Sequence, residues 1–113
     1  MKNVMEQTDK LISAVKQSNE YSQYHYLLES IMQNPDLYHR LNEFRQRNFM
    51  LQMNTNTDAL NESAGLSNEY ADVLNQTKVK DFLAAEQKYV RMVRQMFRKI
   101  NDSLEMNLDF LEN

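Results

Sequence analysis

The C-terminal stretch VKDFLAAEQKYVRMVRQMFRKINDSLEMNLDFL, residues 79–111, carries the pattern that decides the fold. Apolar side chains recur in it every seven residues, and a second apolar position follows in the middle heptads. The first position holds Leu83, Val90, Phe97, Leu104 and Leu111, and the second holds Val93 and Ile100, with Glu86 and Asn107 at its two ends. A heptad repeat of this length predicts one long amphipathic helix with an apolar seam that packs against another helix.

The seam predicts a packing or dimer contact. Its candidate residues are Leu83, Val90, Val93, Phe97, Ile100 and Leu104. A helix from about residue 79 to residue 111 would be roughly 50 Å long at 1.5 Å per residue. The rest of the chain can cover only part of it, and closed two-fold dimers are the commonest assemblies. We therefore expect a homodimer, although the pattern also fits packing within one chain.

The composition favours helices throughout the chain. Its apolar residues are mainly Leu, Met, Ala, Tyr and Phe, and Gly65 and Pro35 are its only glycine and proline. Unbranched side chains lose little rotamer freedom in a helix, whereas strand-rich folds need more turn residues. We predict an all-α fold, a helical bundle of about four to five helices with a long C-terminal amphipathic helix, expected to be dimeric.

The whole sequence of 113 residues suits a single helical domain, and boundary signals divide the part that precedes the last helix. Ser18 or Asn19 suits the cap of a second helix, and Asn34-Pro35-Asp36 suits the start of a third. Between Asn54 and Ser67 the apolar periodicity fades. That segment is predicted to be a polar loop or frayed segment, or a continuation of the third helix. Ser67 is then expected to cap a short helix.

The common signatures of catalysis are missing from the sequence. One glycine cannot build a phosphate-binding loop, and the absence of Cys excludes disulfides, thiolate metal sites and cysteine nucleophiles. We predict a protein that is not an enzyme and has no catalytic, cofactor-binding or metal-binding residues. No apolar run resembles a signal peptide or approaches the roughly 20 residues that span a bilayer. A cytoplasmic location without membrane insertion is expected.

Two histidines provide the only alternative that involves a metal. His25 and Glu29 are four residues apart on one predicted helix, and His39 and Glu43 have the same spacing on the next. If the two helices were antiparallel neighbours, the four side chains would converge. Helical di-metal sites, however, use a Glu-x-x-His spacing of three together with further carboxylates. Two partly exposed histidines with neighbours on their own helices are the better interpretation.

A basic arc on the last helix is a candidate partner surface, formed by Lys88, Arg91, Arg94 and Arg98. It would suit RNA or an acidic protein surface. The simpler interpretation is the solvated side of an amphipathic helix. The net charge of −3 and the lack of interleaved aromatic side chains argue against nucleic acid. RNA binding through this arc is kept as the alternative function.

The order of these segments resembles a known family. The recognisable pieces are VKQSNEYSQYHYLLESIMQNPDLYHRLNEFRQRNFMLQ (residues 15–52) and LNQTKVKDFLAAEQKYVRMVRQMFRKI (residues 74–100). Within them, Ser18-Asn19-Glu20-Tyr21, Asn34-Pro35-Asp36 and VKDFLAAEQKYV are the most distinctive. Over roughly residues 4–104 the chain resembles the YlbF/YmcA family of small helical bacterial regulators, which includes YheA-like proteins.

The resemblance implies a dimeric helical bundle and a regulatory or adaptor role through protein–protein binding. Family members are linked to competence, sporulation and biofilm control, and some act in a complex that modulates a ribonuclease. Expected partners are therefore a second copy, other helical regulatory proteins or a ribonuclease. Some members of that complex bind iron–sulfur clusters through cysteines, a role that this cysteine-free chain cannot share. A YheA-like relative of uncertain role fits the residues as well as a regulator of that complex does.

Overall fold

The computed structural model of this chain describes residues 1–53, 59–105 and 109–111. Across these ranges the backbone forms six α-helices and one short 3-10 helix, without any β-strand. The α-helices are α1 (Lys2–Lys16), α2 (Asn19–Met32), α3 (Pro35–Met53), α4 (Ala59–Glu69), α5 (Ala71–Leu74) and α6 (Thr77–Leu104), and the 3-10 helix is Asp109–Leu111. The prediction of an all-α fold with a long C-terminal helix is confirmed, with six α-helices instead of four to five.

Two predicted helix starts are held by side-chain caps. The Ser18 hydroxyl accepts a hydrogen bond from the backbone N–H of Tyr21 at 3.2 Å, and it donates to the Val15 carbonyl at 2.6 Å. The Asn34 side-chain oxygen accepts from the backbone N–H of Leu37 at 3.3 Å. Each cap satisfies a donor that the first turn of a helix leaves without a partner. Ser18 also joins the end of α1 to the start of α2.

Substitution of Ser18 by Ala is expected to lower the free energy of unfolding by about 1 kcal/mol, the usual cost of losing an N-cap. Ser22→Ala is the matched control, because Ser22 is exposed inside α2, where Ala favours the helix. Urea denaturation of both variants measures the difference. Equal midpoints would show that the Ser18 cap does not stabilise α2.

The segment predicted as a polar loop or frayed stretch is partly helical. Residues 54–58 lie outside the described residues, and α4 begins at Ala59, so the loop prediction is wrong from that residue onward. Ser67 lies inside α4 and does not cap a short helix. The reason is tertiary packing, because Leu66 and Tyr70, four residues apart, are both buried and Tyr70 packs on the ring of Phe44.

The C-terminal helix is shorter than its heptad pattern predicts. It ends at Leu104, and Glu105 follows with a left-handed φ of 49°. This conformation interrupts the helical hydrogen-bond ladder, so Leu111 belongs to the 3-10 helix and not to α6. The 28 residues of α6 still span about 42 Å at 1.5 Å per residue.

None of the helices in the described ranges has the length and apolar character needed to cross a membrane.

The hydrophobic core lies around the first half of α6. Its buried residues come from α2, α3, α5 and α6: Ile31, Leu37, Leu41, Val73, Val79 and Phe82. An aromatic row extends it along α2, where Tyr24 stacks on Phe82 and Tyr89 with ring centroids 5.5 and 5.0 Å apart. The second half of α6 continues beyond this core.

The molecule is more open than a compact domain of its length. Its radius of gyration is 18.2 Å, whereas a compact 113-residue domain has about 13 Å. Its accessible surface of 9147 Å² compares with about 6,500 Å² for a folded monomer of 13.5 kDa. The chain therefore exposes roughly 2,600 Å² more than a self-contained monomer would.

Candidate protein-binding surface

The apolar seam of α6 is covered in its first half and open in its second. Leu83 packs against the buried core, and Val93 is half-buried. The other four seam residues are exposed: Val90, Phe97, Ile100 and Leu104. Phe97 is 57% exposed and Leu104 is 62% exposed. Packing within the chain thus accounts for the first part of the seam and leaves a row of apolar side chains without cover from the described residues.

Helix α1 forms one wall of an apolar groove, and the second half of α6 forms the other. The space between them measures about 430 Å³. Its apolar lining includes Leu11, Ile12, Val15, Val93, Phe97 and Ile100. No side chain of α1 is buried, so this helix contributes its apolar stripe to the groove instead of the core. The α1–α6 groove has the apolar lining that suits the apolar face of an amphipathic helix.

The contribution of α1 to this groove does not follow from the sequence alone. The necessary signal is present, because Val4, Leu11, Ile12 and Val15 recur at helical spacing. The same spacing also fits a helix whose apolar stripe lies in the core. The structure places α1 beside the second half of α6 and away from the core, so its apolar stripe lines the groove and is not part of the core.

A polar cleft lies on the opposite flank of the α6 seam, between α6 and the second half of α3. Its volume is about 620 Å³. The lining includes Asn48 and Gln52 of α3, and Glu86, Arg91, Arg94 and Arg98 of α6. We call the three exposed arginines Arg91, Arg94 and Arg98 the arginine edge. Guanidinium groups at this spacing are suited to carboxylates or phosphates.

Lys88 lies apart from the arginine edge. It lines a separate depression between α2 and α6, together with Glu20, Gln23 and Asp81. The four residues of the predicted basic arc therefore do not share one site. The arginine edge alone borders the cleft between α3 and α6.

Helix α3 is tied to α6 by a partly buried ion pair. The guanidinium of Arg45 donates a hydrogen bond to the carboxylate of Glu86 and lies 5.3 Å from the ring centroid of Phe82. Glu86 occupies a seam position where the heptad pattern calls for an apolar residue. Its contact with Arg45 explains the polar residue there. The interaction holds α3 beside the core and forms one end of the polar cleft.

A double-mutant cycle with Arg45→Met and Glu86→Gln is expected to give a coupling free energy of about 1 kcal/mol, because the pair is partly shielded from water. The control cycle uses Arg40 and Asp72, an exposed pair at 2.8 Å, and is expected to give about 0.3 kcal/mol. Urea denaturation of the variants measures both values. A smaller coupling for the Arg45–Glu86 pair than for the control would contradict this role.

A second polar cluster ties α3 to α4. Arg47 Nη1 donates to Glu69 Oε1 at 2.8 Å and to Tyr70 Oη at 3.2 Å. Tyr70 Oη in turn donates to Glu43 Oε2 at 3.3 Å. The hydrogen bond to Glu69, with a smaller contribution from Tyr70, raises the pKa of Arg47 further above its ordinary value. Arg47 is therefore charged whenever the protein is folded, and its role in this cluster is structural.

The two histidines and their glutamates do not converge on one site in the described residues. His39 Nε2 pairs with Glu43 Oε1 at 2.9 Å on α3, whereas His25 on α2 packs against Tyr21, with ring centroids 4.2 Å apart. In the part of the chain that the structure describes, no three His, Cys, Asp or Glu side chains are placed to hold a metal ion. The convergence considered from their spacing is thus not found among these residues.

Comparison with known proteins identifies the family. The family model described as "Control of competence regulator ComK, YlbF/YmcA" matches residues 4–105. The match extends from α1, across the core helices, to the residue that ends α6. Comparison with curated proteins gives no match, and neither does comparison with solved structures. The match covers both walls of the apolar groove and the whole of the arginine edge, and it shows that the chain belongs to the YlbF/YmcA family.

Proposed function

We propose that this chain is a non-catalytic regulatory protein that acts by binding other proteins, with a second copy of itself as its first partner. The family description, control of the competence regulator ComK, gives the regulatory role. Protein binding is supported by the apolar groove and by the exposed seam residues of α6. The missing catalytic motifs support a role without catalysis.

The observation that carries the homodimer is the exposed area. Exposed apolar side chains of α1 and α6, among them Leu11, Ile12, Phe97 and Leu104, contribute to the excess of roughly 2,600 Å² over a compact monomer. Stable homodimers bury about 2,000–5,000 Å² in total, which is about 1,000–2,500 Å² per chain. One interface on α1 and α6 would therefore account for most of the excess.

The dimer is then expected to bind other helical regulatory proteins or a ribonuclease in the cytoplasm, as the resemblance to the family implies. The polar cleft suits an acidic protein surface, since the arginine edge supplies its positive charge. Such a role needs neither a cofactor nor a cysteine.

Sedimentation equilibrium of the purified chain tests the homodimer, and we expect a mass of twice 13.5 kDa. A mass of one chain at all concentrations would refute it. Affinity capture from the native host, with and without nuclease, then tests protein binding. Retention of a ribonuclease or a helical relative after nuclease treatment is the expected result.

An RNA-associated protein is the second candidate, and the arginine edge is the observation that favours it. Its signature would be an affinity for RNA that falls steeply as salt rises. Two features count against it. Lys88 lies outside the cleft, and none of the described residues that line the cleft is aromatic, so bases would have no stacking platform. Loss of every captured partner on nuclease treatment would favour RNA.

A further inference from the structure

The arginines of this chain fall into two groups that differ in their partners. Each of the three arginines of α3 pairs with a carboxylate: Arg40 with Asp72, Arg45 with Glu86 and Arg47 with Glu69. The arginine edge differs, because none of its guanidinium groups pairs with a carboxylate of the described residues. Its side chains are exposed and follow one another at intervals of three and four residues, at which like charges on a helix repel. A ligand with matching negative charges would offset this repulsion.

The polar cleft continues into a second, more apolar cavity between α3 and α6. Phe44, Phe49 and Leu83 line this cavity, whose volume is about 610 Å³. The cavity and the cleft form one continuous space, which we call the α3–α6 groove, because they share four lining residues: Asn48, Gln52, Glu86 and Gln87. From Leu83 to Arg98, α6 rises about 22 Å at 1.5 Å per residue, which equals about four helical turns.

The two ends of the α3–α6 groove differ in chemistry. The arginine edge lies at one end, and the apolar side chains lie at the other. Phe49 at the apolar end is 62% exposed, so its ring is accessible to a ligand. Glu86 between the two ends is paired with Arg45, so the arginine edge leaves the lining with a net positive charge. The groove therefore offers a basic contact and an apolar contact to the same ligand.

An acidic amphipathic helix matches both ends of the α3–α6 groove. A helix that lies along α6 has the same rise per residue, so carboxylates at intervals of three and four residues would meet the arginine edge one by one. Guanidinium groups bind carboxylates through paired hydrogen bonds. Apolar side chains on the other half of the same helix would cover Phe49 and Leu83.

RNA matches the α3–α6 groove less well. The aromatic residues Phe44 and Phe49 lie at the end away from the arginine edge, so a nucleotide bound to the arginines would have no ring to stack on. The net charge of −3 on the chain also opposes a polyanion. A short acidic helix needs only the local positive charge of the arginine edge.

The α3–α6 groove is separate from the surface assigned to the homodimer. None of the described residues lines both this groove and the α1–α6 groove. A ligand can therefore occupy the α3–α6 groove while a second copy covers the α1–α6 groove.

We propose that the α3–α6 groove binds an acidic amphipathic helix of a partner protein, with carboxylates on the arginine edge and apolar side chains on Phe49 and Leu83. This inference rests on the proposed protein-binding function and specifies the site and the chemistry of the partner. The arginine edge selects the acidic half of the helix, and the apolar end of the groove stabilises the complex.

Fluorescence anisotropy with labelled peptides tests the charge complementarity. The acidic probe is an alanine-based helical peptide with three glutamates, at intervals of three and four residues, in one half and leucines in the other. Two versions, with the glutamates in the N-terminal or in the C-terminal half, test both directions of the bound helix. We expect at least one version to bind the full chain. Glutamine in place of its glutamates should raise Kd at least about tenfold, the sum of three exposed charge pairs.

A charge exchange tests whether the arginine edge receives the glutamates. Arg91→Glu/Arg94→Glu/Arg98→Glu is expected to raise the Kd of the acidic peptide at least about hundredfold, because three attractions become three repulsions. The same variant should bind the peptide that carries lysines in place of its glutamates. Lys80→Glu/Lys88→Glu is the matched control, with exposed charges reversed on α6 outside the groove, and should change Kd by less than about threefold.

Truncation of Phe49 tests the apolar end of the α3–α6 groove. Phe49→Ala is expected to raise the Kd of the acidic peptide at least about threefold, because the leucines of the peptide lose apolar contact area. Tyr26→Ala is the matched control, since Tyr26 is an exposed aromatic residue outside the groove, and it should leave Kd unchanged.

The outcomes separate this inference from the proposed function. No binding of either acidic version, equal affinity for the glutamine peptide, or no binding of the lysine peptide by the charge-exchanged variant would overturn the assigned site, while the homodimer and captured partners would stand. Phe97→Asp, which is expected to separate the homodimer, should bind the acidic peptide with unchanged Kd. If a single-stranded uridine oligonucleotide binds the arginine edge more tightly than the acidic peptide at the same salt concentration, the arginines serve RNA and this inference is wrong.

Discussion

Replacing Phe82 by Ala is expected to lower the free energy of unfolding by about 3–5 kcal/mol, the usual cost of truncating a fully buried aromatic ring. Phe82 is 0% exposed and is the largest fully buried side chain among the described residues. It stacks on Tyr24, and Arg45 lies over its ring. The core is small, and domains have only about 5–15 kcal/mol of stability in total. The variant should therefore lose most of its cooperative unfolding transition.

Circular dichroism during urea denaturation measures this effect. Tyr26→Ala is the matched control, because Tyr26 is a 70% exposed aromatic residue on α2, and its truncation is expected to change stability by no more than about 0.5 kcal/mol. Similar midpoints for the two variants would show that the core lies elsewhere.

Replacing Phe97 by Asp is expected to raise the dimer Kd at least about hundredfold, because the carboxylate would be buried without a partner at the interface. In a single chain Phe97 is 57% exposed, so the substitution should leave the helical content of the monomer nearly unchanged. The sedimentation mass should fall towards 13.5 kDa. The melting temperature should fall as well, since dissociation removes the stabilisation that association gives to the folded state.

Tyr26→Asp controls for a new charge at an exposed aromatic position outside the groove, and it should keep the mass and melting temperature of the original chain. A Phe97→Asp variant with unchanged mass and melting temperature would remove Phe97 from the interface. A variant that is monomeric but also unfolded is distinguished by its circular dichroism. In that case Leu104→Asp, near the end of α6, provides a second test of the same surface.

Local patterns in the sequence determined the helical class, the family and several boundaries of this protein. The unbranched apolar residues and the rarity of Gly and Pro exclude a strand-rich fold. Ser18 and Asn34 form the caps that their sequence context predicts. These features depend on residues three or four positions apart, so they can be inferred before the tertiary structure is known. The family resemblance rests on the same capping and packing residues.

Only the tertiary structure decided which apolar residues form the core and which remain exposed. The heptad pattern treats Leu83 and Phe97 as equivalent, but α2, α3 and α5 surround only the first half of α6. Helix α4 is not predicted from the sequence because contacts with α3 stabilise it. Leu66 of α4 and Tyr70, which follows α4, are both buried. Helical periodicity indicates which side of a helix is apolar, but it does not indicate which other element packs against that side. The groove between α1 and the second half of α6 therefore becomes visible only when the helices are placed in three dimensions.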